Sequence, residues 1–299
     1  MTLRILQYGT TGQLAQELLR QAPGHPVSIT ALSRAEADLA DPEGAAGRVR
    51  ALRPDLVILA AAYTAVDQAE SEPGLAHEVN GEAPAAIAAA CAEVGTALVH
   101  FSTDYVFDGV KGAPYLEEDA TAPLSVYGAS KLSGERMALA ACPRTLVLRT
   151  SWVISAYGKN FVKTMLRIAR EGAPLRVVDD QFGRPTAAAD LAAFVLAQAP
   201  RLAAAPAGAP VFGLFHFANA GETSWRGLAQ ATFEIGLGPD APAVAPIATA
   251  ERPSPARRPL RATLDTSKLE AVFGWRPRPW RDALGEIVAE LAKAEAPAR

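Results

Sequence analysis

The sequence predicts an α/β fold in which a doubly wound parallel sheet carries a smaller α/β lobe. Short, almost continuously apolar runs recur along the first half of the chain, as in strands that are buried on both faces of a parallel sheet. Alanine-rich segments with helical spacing separate these runs, which is typical of strands connected by helices. After about residue 199 the alternation is interrupted by two proline-rich stretches, 199–210 and 238–259, which we interpret as surface connections.

Each element follows from its local pattern of apolar residues. The predicted strands are 3–8, 27–32, 55–60, 97–102 and 145–150. The predicted helices are 12–21, 42–52, 73–94, 126–140, 160–170 and 187–198. In the last third we expect a strand at 211–218, a helix that begins at Ser224, and two short helices at 266–273 and 280–294.

Composition excludes several classes of protein. The chain has 299 residues with 29 Lys and Arg against 32 Asp and Glu, a net charge of −3, and no basic block of the kind that binds nucleic acid or an anionic membrane. Its two cysteines, Cys91 and Cys142, form no CxxC motif, which argues against a disulfide framework or a zinc site and fits a reducing compartment. No apolar run reaches the roughly 18 residues of a membrane span. We therefore expect a cytoplasmic protein with no nucleic-acid or membrane partner.

The first predicted strand runs into a glycine-bearing turn and then a helix. Gly9 permits a tight turn, Gly12 lets the backbone approach a pyrophosphate, and the helix N-terminus offers free N–H groups. A plain strand-to-helix turn is the alternative, but the position of the loop before alternating strands and helices favours a dinucleotide site. Arg34 stands where a carboxylate would bind the ribose of NAD, and it suits a 2′-phosphate instead. We expect NADPH, with NADH and a merely solvated Arg34 as alternatives.

This loop gives the two lobes their expected roles. Residues 1–150 plus about 184–212 are predicted to form a dinucleotide-binding domain with a Rossmann-like fold. Residues from about 151 to 183 plus 213–299 are predicted to form a discontinuous substrate-binding lobe.

The strongest chemical signal is a set of three polar residues. Thr103 ends the fourth predicted strand, and Tyr127 and Lys131 lie four residues apart on one face of a helix. A cation beside a tyrosine favours the phenolate and is expected to lower the pKa of the phenol, which helps proton transfer at neutral pH. The Thr103 hydroxyl can bond the same ligand oxygen. YxxxK alone occurs often by chance, so its weight comes from its conjunction with the glycine loop.

Longer motifs surround these residues, and the chain resembles the extended short-chain dehydrogenase/reductases and, within them, the dTDP-4-dehydrorhamnose reductase family. The motifs that carry the resemblance are GTTGQL, AAYTAVDQAESEP, FSTDYVFDG, APLSVYGASKLSGE, LRTSWV, NFVKTML, DQFGRPT and ARRP. They span nearly the whole chain. The resemblance implies reduction of the 4-keto group of a dTDP-linked 6-deoxyhexose, and a homodimer is compatible with it.

The same resemblance implies roles for particular residues. Tyr127 would donate the proton, Lys131 would hold the nicotinamide ribose, and Thr103 would complete the catalytic group. The cofactor would be lined by Gly9, Thr10, Thr11, Gly12, Gln13, Leu14, Asp38, Leu39, Ala61, Ala62 and Tyr63, besides Arg34, Tyr127 and Lys131. The sugar nucleotide would be met by Thr103, Asp104, Tyr127, Trp152, Arg257 and Arg258, the two arginines forming a pair suited to a diphosphate.

Two departures from the family pattern and three alternative functions accompany this prediction. Arg261 stands where relatives more often carry a small amide residue. Some relatives bind Mg²⁺ through glutamates; Glu17 could match one, but residues 187–190 lack another, so we expect no metal site. A dehydratase or epimerase would need an acidic pair after the threonine, whereas Asp104 precedes a tyrosine. A non-catalytic regulatory subunit of the same fold could dispense with the tyrosine and lysine, and a purely structural module would leave them unexplained.

Overall fold

The computed structural model describes residues 2–172 and 175–295. The domain limits predicted at residues 1 and 299, together with residues 173, 174 and 296–298, lie outside this range. The strands in chain order are β1 (Leu3–Tyr8), β2 (Val27–Leu32), β3 (Leu56–Leu59), β4 (Ala97–Thr103), β5 (Thr145–Thr150), β6 (Val153–Ile154), β7 (Leu175–Val178), β8 (Phe182–Gly183), β9 (Thr186–Ala187), β10 (Gly213–His216), β11 (Thr223–Ser224) and β12 (Val244–Ile247).

The helices follow the predicted order, but the described residues contain eleven where nine were predicted. They are α1 (Gln13–Gln21), α2 (Pro42–Leu52), α3 (Val66–Ala69), α4 (Pro73–His77), α5 (Ala83–Val94), α6 (Val126–Ala141), α7 (Phe161–Arg170), α8 (Ala188–Ala204), α9 (Trp225–Leu237), α10 (Ser267–Phe273) and α11 (Trp280–Glu295). The short α3 was not predicted. The single predicted helix 73–94 is α4 and α5 joined by a π-helical turn, Glu78–Glu82.

A six-stranded sheet in the order β10-β5-β4-β3-β1-β2 forms the centre of the molecule, and every pairing in it is parallel. One face packs against α1, α8 and α10, and the other packs against α2, α5 and α6. The predicted doubly wound α/β fold is therefore confirmed. The six strands of this sheet have their carboxyl ends along the same edge. Open sheets of this kind bind ligands at that carboxyl edge.

A separate apolar cluster forms beyond this edge. It joins α7, α9 and α11 to β7 and β12, and its most buried large side chains include Val162, Phe233 and Leu284. The small two-stranded pairings β7 with β12, β8 with β11 and β6 with β9 surround it.

One boundary of the predicted lobes is wrong. The strand β10, which we placed in the second lobe, pairs with β5 and extends the central sheet. The reason is the burial of Phe215, whose ring lies 5.1 Å from that of Phe273 on α10 and is 1% exposed. The rest of the proposed division into lobes stays a prediction.

The predicted surface connection after residue 199 is also partly wrong, because α8 continues through Pro200 to Ala204. Proline lacks the N–H that would bond one turn back, which normally ends a helix. Here Ala199 and Leu202 are fully buried in the core of the sheet, and this apolar contact offsets the missing hydrogen bond. In the described part of the chain, no helix is both long and apolar enough to cross a membrane.

Candidate active site

The glycine loop forms the first wall of the site at the end of β1. Gly9 has a φ of +98°, and a side chain there would come within 3.2 Å of the Cβ atom of Ala61. The buried Gln7 amide donates to the carbonyls of Gly9 and Ala15 and fixes the loop against α1. Gly12 precedes α1 and provides no side-chain cap, so N–H groups in the first turn remain available to an anion. Thr10, Thr11, Gln13 and Leu14 complete this segment.

The segment that follows β3 forms the second wall. Ala61, Ala62 and Tyr63 leave the sheet beside Gly9, and Tyr63 is held at both backbone atoms by Asn80. The Asn80 amide also donates to the Ser130 hydroxyl on α6 at 3.0 Å. Asn80 is fully buried in the π-helical turn, so this turn joins the predicted cofactor segment to the helix that carries Tyr127. We did not predict Asn80; the only sequence signal is an asparagine inside an alanine-rich helical run.

Thr103, Asp104 and Tyr127 come together at the end of β4. The Tyr127 hydroxyl lies near Thr103, whose own hydroxyl donates to Asp104 Oδ1 at 3.0 Å. The Tyr105 ring packs edge-on against Tyr127, with centroids 5.6 Å apart. A Cβ atom on Gly128 would lie 2.2 Å from the Tyr105 carbonyl oxygen, so only glycine lets the first turn of α6 approach this closely.

Burial controls the protonation of this group. It raises the pKa of Tyr127 to about 12, a rise that the Thr103 hydrogen bond opposes and the Asp104 charge increases. Burial also raises the pKa of Asp104 to about 7 and lowers that of Lys131 to about 8. The expected lowering of the Tyr127 pKa by Lys131 is therefore wrong, because desolvation of the phenolate dominates. Tyr127 is a protonated phenol at neutral pH.

Arg34 and Asp38 lie together on the surface after β2. Arg34 Nε lies 3.1 Å from Asp38 Oδ2, and the Arg34 side chain is 78% exposed. Leu39 is buried in the core between the sheet and α2, so its side chain has a packing role. The arginine expected to meet a 2′-phosphate thus already has a carboxylate partner.

Trp152 follows β5 in a strained conformation. Its φ is +45°, in the left-handed region that is costly for a large side chain. Its ring stacks on Trp225 with centroids 3.6 Å apart. A Cβ atom on Gly183 would lie 2.7 Å from Cε2 of the Trp152 ring, so Gly183 also lies against this ring. A bound sugar could therefore contact only the part of the Trp152 ring that Trp225 and Gly183 leave uncovered. Trp225 was not predicted as part of the site.

The two predicted arginines differ in their surroundings. Arg258 pairs with Asp67 at 2.9 Å and lies near the Tyr105 hydroxyl, beside the Tyr127 group. Arg257 is exposed, and within the described residues it forms no hydrogen bond or ion pair. Arg261, the departure noted above, pairs with Glu222 at 2.7 Å.

Carboxylates at the positions considered for Mg²⁺ are already paired. Glu17 is 2% exposed and binds Arg20 at 2.7 Å, and Asp190 binds Arg278 at 2.8 Å. Within the described residues no group of three His, Cys, Asp or Glu side chains could hold a metal ion. The described residues at these positions therefore do not fit a bound Mg²⁺ ion.

Comparisons with known proteins identify the family of the chain. The family model described as the RmlD substrate binding domain matches residues 3–293. The chain belongs to this family. The predicted relationship is confirmed by a protein from Burkholderia thailandensis named dTDP-4-dehydrorhamnose reductase, which is 45% identical over 298 residues and matched over 97% of this chain and 99% of its own.

Solved structures of the family share the whole fold. A dTDP-4-dehydrorhamnose reductase from Clostridium acetobutylicum is 36% identical with a TM-score of 0.90, covering 97% of this chain and all of the other, 100%. One from Bacillus anthracis, solved in complex with NADP, is 32% identical with a TM-score of 0.90 and the same 97% and 100% coverage.

Proposed function

We propose that this protein is an NADPH-dependent oxidoreductase that reduces the 4-keto group of dTDP-4-dehydro-6-deoxy-L-mannose (dTDP-4-dehydro-β-L-rhamnose) to give dTDP-L-rhamnose. The observation that carries the proposal is the Thr103, Tyr127 and Asp104 cluster, which lies at the ligand-binding edge of the sheet in a chain of the reductase family. The full-length relatives that bear this activity in their names support the substrate.

The glycine loop and α1 supply what a pyrophosphate needs. The free N–H groups after Gly12 and the positive end of the α1 dipole favour an anion, and Gly9 keeps the approach open. The Bacillus anthracis structure with NADP supports a phosphorylated cofactor, for which Arg34 would be the partner. NADH stays an alternative until the two are compared.

The chemistry that a bound nicotinamide supplies is transfer of a hydride to the sugar's carbonyl carbon. Tyr127 donates its proton to the carbonyl oxygen as that oxygen gains charge, so that the ketone becomes an alcohol. Thr103 hydrogen-bonds the same oxygen and orients it. The Lys131 ammonium group would bind the ribose hydroxyls of that cofactor. Because its pKa is about 12, Tyr127 keeps its proton until negative charge develops on the carbonyl oxygen of the sugar.

The sugar nucleotide would lie between the sheet edge and the second lobe. Its sugar would meet Thr103, Asp104, Tyr127 and the free edge of Trp152, and its diphosphate would meet Arg258, with Arg257 close along the chain. The position of Arg258 near Tyr105, whose ring packs against Tyr127, supports this arrangement. Asp104 precedes Tyr105 rather than a second acid, which favours reduction over dehydration. A cytoplasmic location and a homodimer stay predictions.

One assay tests this proposal. Purified protein is given NADPH and enzymatically generated dTDP-4-keto sugar, and loss of absorbance by the reduced cofactor is followed alongside reactions with the UDP and GDP analogues. We expect turnover with the dTDP sugar, with dTDP-L-rhamnose identified as product by mass spectrometry and NMR. Absence of turnover with any sugar nucleotide, while NADPH still binds, would favour the regulatory-subunit alternative.

A further inference from the structure

A buried charged pair lies on the same face of α6 as Tyr127 and Lys131. Glu135 follows Lys131 by four residues, one helical turn further on. Arg149 on β5 binds it in a two-pronged pair, with Nε to Oε1 at 2.9 Å and Nη2 to Oε2 at 2.7 Å. The side chains are 3% and 2% exposed, so neither charge is shared with water. The family motifs include both residues, but the reaction described above uses neither.

Lys131 itself is 3% exposed and, within the described residues, forms no hydrogen bond or ion pair. Its nearest possible anionic partner along α6 is Glu135, because a lysine and a glutamate four residues apart can pair. Arg149 already occupies both oxygens of that carboxylate. The unpaired state of Lys131 therefore depends on Arg149.

The other groups around Lys131 carry no charge that could replace this control. His100 on β4 is 1% exposed, and burial and then the Lys131 charge hold its pKa far below the ordinary range, so it is neutral. Tyr127 is a neutral phenol. Only Glu135 favours the charged form of Lys131 among the residues that shift its pKa.

We propose that Arg149 is a positioning residue that holds the Glu135 carboxylate away from Lys131 and so keeps the lysine ammonium free for the cofactor's ribose hydroxyls. The pair is then more than a contact between α6 and β5. If Arg149 is lost, Glu135 is left buried without a partner and turns to the one cation within its reach. The cofactor must then compete with a carboxylate for Lys131. This inference rests on the proposed use of a nicotinamide cofactor.

The test measures NADPH binding without sugar, by fluorescence titration between pH 6 and pH 10. For Arg149→Met we expect the dissociation constant at pH 7 to rise about tenfold, as for loss of a charge-assisted contact. Glu135→Gln/Arg149→Met should return within about threefold of wild type, because no carboxylate remains to capture Lys131. A purely structural pair predicts that the double variant binds no better than Arg149→Met, and that result would overturn the proposal.

The pH profile supplies a second readout that remains useful if Arg149→Met does not fold. Glu135→Gln leaves the Arg149 cation without a counter-charge near Lys131, so the alkaline limit of NADPH binding should move to lower pH. The double variant should move it back. An alkaline limit that is identical in wild type, Glu135→Gln and the double variant would overturn the proposal.

Arg278→Met is the matched control. Arg278 pairs with Asp190 and Glu286, and it bonds neither α6 nor β5. It should lower the melting temperature without moving the alkaline limit. Since the readout is cofactor binding alone, a wild type that binds NADPH but reduces no sugar would refute the proposed function and leave this test intact.

Discussion

The two sides of the proposed cleft hold their polar side chains in different ways. Thr103 and Lys131 are 6% and 3% exposed, on a strand end and a long helix packed in the core of the molecule. Arg258 and Arg261 lie in an irregular segment, in ion pairs whose members are 23% to 50% exposed. Exposed pairs contribute about 0–1 kcal/mol, so their partners can be exchanged at low cost. We therefore expect Thr103 and Lys131 to stay in place, and we propose that Arg258 can exchange Asp67 for a ligand.

The largest effect should come from the fixed side. Tyr127→Phe removes only the phenol hydroxyl, so kcat should fall about 10²- to 10⁴-fold while the NADPH dissociation constant stays nearly unchanged. Steady-state kinetics and fluorescence titration measure the two. Tyr105→Phe is the control, since it removes a neighbouring phenol hydroxyl and keeps the ring that packs on Tyr127. A near-wild-type kcat in Tyr127→Phe would show that another group gives the proton.

Asp104 offers a test of burial on the same side. Because its pKa is raised to about 7, its contribution to stability is complete below its ordinary pKa of about 4 and is lost as the pH rises through 7. Ionisation of a group so perturbed costs at most about 4 kcal/mol. Asp104→Asn should therefore stabilise the protein at pH 8 relative to wild type, and less so at pH 5. Urea unfolding at both pH values measures this, and an equal difference at both would contradict it.

The exposed side should respond to salt. Arg258→Ala should lower kcat/KM about 10- to 100-fold through loss of a charged hydrogen bond to the diphosphate, with little change in NADPH affinity. The difference from wild type should shrink at high ionic strength. Arg257→Ala is the comparison, because Arg257 has no partner among the described residues and should cost less. Equal losses for the two arginines at every salt concentration would refute this difference.

The smallest effect is expected for the cofactor's 2′-phosphate. Arg34→Ala should reduce the preference for NADPH over NADH about 3- to 10-fold, since the guanidinium is exposed and already paired. Asp38→Asn frees Arg34 and should increase that preference. The ratio of kcat/KM values for the two cofactors measures both. An unchanged ratio in both variants would show that Arg34 does not contact the cofactor.

The sequence predicted most of the central sheet because its signals are local. β1 to β5 are short, largely apolar runs, and the capping side chains Ser125, Asn160 and Ser224 stand where α6, α7 and α9 begin. The spacing of Tyr127 and Lys131 likewise needs only one helix. The burial of a side chain depends on residues distant in the sequence. Burial reversed the expected direction of the shift in the Tyr127 pKa.

The remaining features depend on distant partners. β6, β8, β9 and β11 have two residues each, too few for any periodicity. Asn80 joins the segment after β3 to α6 because folding places the π-helical turn within hydrogen-bond distance of Tyr63 and Ser130. The stacking of Trp152 on Trp225 joins residues from separate segments. These contacts are formed by packing, and the sequence of either segment alone does not specify them.

The pairing of β7 with β12 has a consequence for the protein's synthesis. Leu175 pairs with Val244, so β7 is made well before its partner exists. About 70 residues at 5 to 20 residues per second correspond to roughly 4 to 14 s of translation. During that time the apolar Leu175 and Val177 have no strand beside them, whereas β1 to β4 have already emerged. The nascent chain can thus begin to form the central sheet early. The apolar cluster of α7, α9 and α11 stays incomplete until nearly the whole chain has left the ribosome.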